Sequence, residues 1–195
     1  MGGVGPSGRY AGGGGRGLSV AKAPRLLPVK VTELEMRAVP ARREPAPTGP
    51  RIALMRASGM TAAFYRFLYR EVGKAHHWFV RRDLDDAPLL AEISPEKTEL
   101  FILYADGCPA GFFELALGGK PEIVEIQYFG LMPDYQGRGL GKYFLSEAVF
   151  AAWAHEPEKV IIETNTLDSP RAIIMYQRLG FVPVLQRDGK VPAWE

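Results

Sequence analysis

The sequence predicts a mixed α/β (α+β) fold, with helices packed beside a largely antiparallel sheet. Three observations carry this prediction. Apolar residues alternate with period two between Thr98 and Leu131, in runs broken by Asp106-Gly107 and Gly118-Gly119. Apolar residues recur every four positions at Leu140, Phe144, Ala148 and Ala152, with Leu145 and Val149 beside them, which is the period of a helix. The two patterns then alternate to the end of the chain, so the order is strand, two helices, three hairpin-linked strands, helix, strand, helix, strand.

Each element has its local reason. Val29 to Ala38 alternates through Val29, Val31, Leu34 and Met36 and reads as a first strand. Pro40, Pro45, Pro47 and Pro50 mark a connection. Thr61 to Gly73 reads as a helix that Ser58 or Thr61 can cap and Gly73 can end, and a short second helix is expected over Asp85 to Ile93. Thr98–Ala105 and Pro109–Leu117 form a hairpin about Asp106-Gly107, and Glu122 to Leu131 is a third strand that Pro133 stops. Leu140–Ala154 is the periodic helix and Lys159–Glu163 a short buried strand. Ser169-Pro170 offers a cap followed by proline at the first helical position, opening a helix that runs to Leu179 and ends at Gly180. Phe181 to Gln186 is the last strand, and the chain contains no internal repeat.

Composition narrows the class. A chain of 195 residues with 47% hydrophobic content suits one cored domain, assigned to residues 28–195. Residues 1–27 form a Gly-rich tail, with nine glycines in the first seventeen positions and too little apolar surface to offset the entropy of ordering. The tail is acid-free and bears arginines, as organelle transit peptides do. It lacks their amphipathic pattern, and it reads as a disordered tail or an upstream start-site extension. The first 32 residues carry five basic side chains and no acid, so the remainder is net −3 against a total of +2. A non-basic core does not favour nucleic acid as a partner. No apolar run has the length that spans a bilayer and no secretory signal is visible. The single cysteine, Cys108, fits a reducing compartment, and a cytoplasmic location is expected.

The chemistry concentrates where the third hairpin-linked strand meets the long helix. Gly137, Gly139 and Gly141 let the backbone adopt positive φ and approach a ligand closely. The unpaired N–H groups of the helix's first turn and its dipole favour an anion there, and Arg138 adds a charged donor. The physical reading is a cradle for phosphate or pyrophosphate. A P-loop requires a hydroxyl residue after Gly141-Lys142 and a glycine at position 136, where Tyr143 and Gln136 stand. A dinucleotide fingerprint requires glycine where Lys142 stands, and the hairpin-linked strands are the wrong context for one.

The remaining pattern is Gln/Arg-x-x-Gly-x-Gly/Ala, which Gln136, Gly139 and Gly141 satisfy. About thirty-five residues downstream lies Ala172-x-x-x-Tyr176-x-Arg178-x-Gly180-Phe181. With these two segments the chain resembles the GCN5-related N-acetyltransferase (GNAT) superfamily, closely over residues 98–187 and in element order over 29–97. The resemblance implies a central mixed, mostly antiparallel sheet of six to seven strands. About four helices flank it, and it is splayed between its fourth and fifth strands. It also implies an enzyme that moves an acetyl group from acetyl-CoA to a primary amine, by direct attack in a ternary complex. A non-catalytic acyl-CoA-binding or regulatory module on the same fold is the alternative.

The resemblance assigns roles to residues. Gln136, Gly137, Arg138, Gly139, Leu140 and Gly141 bind the coenzyme A pyrophosphate. The preceding strand carries a bulge. The pantetheine arm pairs with backbone near Leu131 and Met132, where one N–H can polarise the thioester carbonyl. Tyr176 protonates the departing thiolate, and Ser169 and Ala172 on its helix lie at the cofactor. The family often has asparagine where Ser169 stands; Ser169 serves as a helix cap, and the asparagine contact is not carried over. Glu125, eleven residues before Gln136, stands where some members place a general base. Glu114 is a weaker candidate for binding a cationic amine. The acceptor is a small-molecule or peptide amine, and a homodimer is common in the family.

Other conspicuous residues receive plainer readings. His76-His77-Trp78 reads as a helix end with Trp78 packed, near the region where the family builds its acceptor site. Adjacent histidines point differently and no third ligand is suitably spaced, so no metal is expected. Tyr65, Phe67 and Tyr69 are packing residues, and Tyr128 lines the acceptor side. Cys108 is structural, and Asp83-x-Asp85-Asp86 is a solvated helix start.

Overall fold

A computed structural model describes residues 25–117 and 119–194. Most of the Gly-rich tail, and Gly118 of the Gly118-Gly119 turn, lie outside the described residues. Seven strands form one sheet: β1 (Leu26–Met36), β2 (Ile52–Ala57), β3 (Thr98–Ala105), β4 (Cys108–Ala116), β5 (Ile123–Leu131), β6 (Lys159–Asn165) and β7 (Val182–Pro192). Four helices accompany them: α1 (Ala62–Gly73), α2 (Asp86–Glu92), α3 (Leu140–Trp153) and α4 (Pro170–Leu179). The sheet order is β2-β3-β4-β5-β6-β1-β7, antiparallel throughout except for β5 beside β6.

Local signals placed the helix ends. Thr61 Oγ1 accepts the Phe64 N–H at 3.3 Å, capping α1. Ser169 Oγ accepts the Arg171 N–H at 3.4 Å, and Gly180 ends α4 with φ 115°. Strands β1, β2 and β7 differ from expectation. β2 falls where only a connection was read; it is a half-exposed edge strand that gains its ladder from β3. β7 runs six residues past Gln186, through Asp188-Gly189, because β1 pairs with it as far as Leu26 opposite Pro192. Ladder pairing there overrides a local turn signal. β1 itself begins at Leu26, so it takes in two residues assigned to the tail.

The sheet buries a different cluster on each face. α3 and α4 cover one face, packing Leu140, Phe144, Ala148 and Tyr176 against Leu34, Phe113, Ile126 and Ile162. α1 and α2 cover the other over β3, β4 and β5, where Tyr65, Leu68, Tyr69 and Leu89 meet Leu100, Ile102 and Phe112. Close strand approach requires glycine at one position. A Cβ on Gly111 would strike the Gly130 carbonyl oxygen, a backbone atom that cannot swing aside. Gly111→Ala is expected to cost about 1–3 kcal/mol of stability, the usual range for overpacking, read from urea unfolding.

The sheet is not continuous. β5 and β6 pair only over Ile123–Ile126 against Lys159–Ile162. On its other edge β5 shifts register, with Ile126 opposite Leu115 and Tyr128 opposite Glu114, which leaves Gln127 as the extra residue of a β-bulge. The strands therefore part at the bulge. This is the split expected between the fourth and fifth strands, which are β5 and β6 once β2 is counted. No helix of the described residues is long and apolar enough to cross a membrane.

Candidate active site

The split opens into a cleft of about 830 Å³. Leu131, Gln136, Gly137, Gly141, Ser169, Ala172, Tyr176 and Glu125, drawn from three separate stretches of chain, all line it. At one end the loop 136–139 leads into α3. Gly137 and Gly139 sit at φ 74° and 78°, in the left-handed region, with open space where a side chain would stand. Their requirement is thus conformational. Gly139 is the N-cap, with no side-chain capping bond and no acid in the first turn, so the N-terminal amides of α3 remain available to an anion.

Along the cleft wall the direction of β5's peptide groups decides what is exposed. The Met132 N–H donates to Ala110 O at 2.8 Å, toward β4. Peptide groups alternate along a strand, so those of Leu131 and Phe129 face the gap where β6 has departed. The Gln136 side-chain amide donates to Leu131 O at 3.1 Å from that side.

This geometry corrects several expectations. Met132 is buried among the α1-side residues and its N–H is already paired, so it cannot polarise a carbonyl. Phe129 and Leu131 carry the N–H groups that can. Leu140 is 1% exposed and its side chain belongs to the core, so only its amide serves the loop. The Arg138 guanidinium lies 5.1 Å from the Tyr135 ring centroid, outside the cleft lining. Glu114 cannot receive an amine, because it is fully buried and paired with Arg81. Phe67 is 37% exposed and, among the described residues, stacks only on Phe64, unlike the buried Tyr65 and Tyr69.

The two candidate proton-transfer groups have opposite settings. Glu125 lies on the face of α1, beside Ile161, with Glu163 two residues further along β6 and Glu33 opposite Glu163. Burial first, then the charges of Glu163, Glu33 and Glu114, push its carboxyl up to about 7, with Arg187 opposing. Arg187 grips Glu163 through two bonds of 2.7 and 2.8 Å. Tyr176 is 6% exposed and packs edge-on against Phe129 and Phe181. Burial, and then the charge of Asp168, raise its pKa, so the hydroxyl stays protonated. Asp168 is itself fixed by Thr164 Oγ1 and Asn165 N, both at 2.9 Å.

The segment after α1 roofs the cleft. His76 Nδ1 lies 3.1 Å from Leu167 O, reaching the β6–α4 connection. His77, at φ 56°, accepts the Trp194 N–H at 3.0 Å, and Trp194 Nε1 donates to Trp78 O at 2.6 Å. The histidines thus point apart, and Trp78 both packs on Tyr69 and Tyr128 and lines the cleft. Cys108 is exposed, with its thiol beside the Tyr135 hydroxyl. Asp85 occupies the N-cap position of α2 without a side-chain bond, while Asp86 pairs with Arg66. Gln127, Asp168, Arg187 and Arg81 escaped the sequence reading, because none falls in a motif and each matters through distant partners.

The Acetyltransferase (GNAT) family model matches residues 62–181. Mycothiol acetyltransferase of Streptomyces coelicolor is 30% identical over 112 residues, covering 55% of this chain and 35% of the relative. The Corynebacterium glutamicum protein of the same name is 37% identical over 62 residues, covering 32% and 21%. The match thus spans about a third or less of these curated relatives. Among solved structures, a GCN5-related N-acetyltransferase from Kribbella flavida aligns with TM-score 0.56 at 16% identity, over 86% of this chain and 60% of that one. A Bacillus subtilis acetyltransferase in complex with CoA aligns with TM-score 0.50 at 22% identity, over 69% and 77%. At these identities the structural likeness is one of fold.

Proposed function

The chain belongs to the GNAT acetyltransferase family, and from that premise we propose that it transfers an acetyl group from acetyl-CoA to a primary amine by direct attack in a ternary complex. The observation that carries this reading is the split between β5 and β6. It joins an anion-binding loop, an unpaired strand edge, a carboxyl poised near neutrality and a buried protonated tyrosine in one cleft.

The fit to acetyl-CoA rests on this chain's own groups. The left-handed glycines and open amides at the start of α3 suit a pyrophosphate. The free edge of β5 suits an extended amide-bearing arm. Acetyl-CoA, when bound, supplies the activated acyl group. The Phe129 or Leu131 N–H faces the gap and donates to a carbonyl oxygen as negative charge grows there. Glu125, directly or through water, takes the proton that the attacking amine must lose. Tyr176 gives its proton to the leaving sulfur. Base and acid thus act at different ends of one transfer, as their settings require.

Release of free thiol from acetyl-CoA, measured against pooled amines, tests the reading. Amine-dependent release at rates above the amine-free control is the expected result. Tight acetyl-CoA binding with no amine-dependent release across a broad panel would instead assign the chain to non-catalytic acyl-CoA binding.

A further inference from the structure

The most deeply buried charges of the described residues lie beside the cleft and take no part in the chemistry above. Arg81 follows the roof segment, and its side chain is 3% exposed; that of Glu114, on β4, is fully buried. Arg81 Nη1 bonds both carboxylate oxygens of Glu114, at 2.6 Å for Oε2, and donates to the Tyr65 hydroxyl at 2.6 Å. The Tyr65 hydroxyl in turn donates to Glu114 Oε2 at 2.9 Å. The other guanidinium nitrogen, Nη2, donates to Gln127 Oε1 at 3.0 Å. The guanidinium also lies 5.0 Å from the Tyr128 ring centroid. Burial is the largest influence on Arg81 and opposes its charge, but Glu114, Tyr65 and Tyr128 together outweigh it and keep the guanidinium protonated.

A buried ion pair is a poor source of stability. Replacing both partners by apolar side chains of similar volume is often neutral or stabilising, because two desolvation costs vanish together. What this pair does have is a specific grip. Gln127 is the extra residue of the β5 bulge, and β5 leaves β6 at Ile126, one residue earlier. On one side of the bulge stands Glu125, and on the other stand the gap-facing amides of Phe129 and Leu131. The bulge therefore sets the separation between the base and the carbonyl-polarising amides, and Arg81 is tied to it from the roof segment.

We propose that the Arg81–Glu114 pair is a positioning device for the reaction: it holds the bulge at Gln127, and so keeps Glu125 and the Phe129 and Leu131 amides in working register. Arg81, Glu114 and Tyr65 are positioning residues, since they act through Gln127. The proposal rests on the acyl-transfer reading of the cleft.

The test removes the whole polar cluster at once. In Tyr65→Phe/Arg81→Met/Glu114→Leu no buried polar group of the trio is left unpaired. The variant is expected to melt at or above the parent's Tm and to bind acetyl-CoA within about threefold of the parent by calorimetry, a change under about 0.7 kcal/mol. Its kcat is expected to fall about 10- to 100-fold, the scale of a misplaced catalytic geometry. Backbone NMR shifts of Phe129 and Leu131, read without ligand, should move. Gln127→Leu, on an exposed residue, cuts the link to the bulge and guards against misfolding of the triple variant; it takes one acceptor from Arg81 Nη2, so it should lower kcat in a folded protein whose Tm falls by a few degrees at most. Parental kcat and parental amide shifts in a folded triple variant, or parental kcat in Gln127→Leu, overturn the proposal. Should the parent itself release no thiol, the acyl-transfer reading fails separately, while unmoved amide shifts in the variants would still reject control of the bulge.

Discussion

Glu125→Gln is expected to lower kcat by about 10²–10⁴-fold, the range that general-base catalysis commonly contributes. Glutamine keeps the shape and loses the proton acceptor. The parent's pH profile should carry the same signature. With the carboxyl pushed up to about 7, Glu125 is protonated below that pH and cannot accept a proton. The parental rate should therefore fall about tenfold per pH unit on the acid side and level off above it. A weakly basic aromatic amine as acceptor keeps the substrate's own ionisation out of this window. The Gln variant should lose the inflection.

Stability follows the opposite sign. A carboxyl whose folded pKa is raised binds its proton more tightly in the folded state than in the unfolded one. Its stabilising contribution is complete below about 4.5, the ordinary value of a glutamate in an unfolded chain, and is lost as pH rises through about 7. At pH 8 the ionised Glu125 is a burden, and Glu125→Gln should be more stable than the parent by about 1–3 kcal/mol, with the difference vanishing near pH 4. Urea melts at the two pH values read this directly. A variant with the parent's rate and the parent's inflection excludes Glu125 as the base.

Tyr176→Phe is expected to lower kcat by about 10²-fold or more, as removal of a general acid does. Acetyl-CoA affinity should change little, because the ring keeps its packing on Phe129 and Phe181. Phenylalanine preserves the edge-on packing of the ring, so Tm should hold. This pattern, lost turnover with retained binding and stability, separates an acid from a packing residue. Its pKa, raised by burial and the Asp168 charge, keeps the proton on the oxygen across the working range, so no inflection from Tyr176 is expected near neutrality. Equal turnover in mutant and parent would remove Tyr176 from the mechanism.

Much of this cleft was legible before any coordinates. Thr61, Ser169 and Gly180 announce helix ends through bonds or conformations confined to a few neighbours. Gly137 and Gly139 announce a left-handed turn for the same reason. Tyr176 and Gly180-Phe181 share one helix and its end, so their spacing in sequence is their spacing in space. Glu125, which lines the cleft, was named through the family resemblance, eleven residues before Gln136. Met132 was misassigned because alternation of peptide direction is set by strand pairing, and Ala110 lies 22 residues away in the chain.

The sequence by itself determined the helices, their caps, the hairpin and the glycine turn that leads into α3, because each is decided by backbone conformation and side chains within a few residues. The tertiary structure alone decided that β2 joins the sheet and that β7 continues through Asp188-Gly189. It also decided that β5 bulges at Gln127 and that Arg81 spends its charge on Glu114. These outcomes depend on which strand lies alongside and on what burial costs a charge, and neither is written in the order of neighbouring residues.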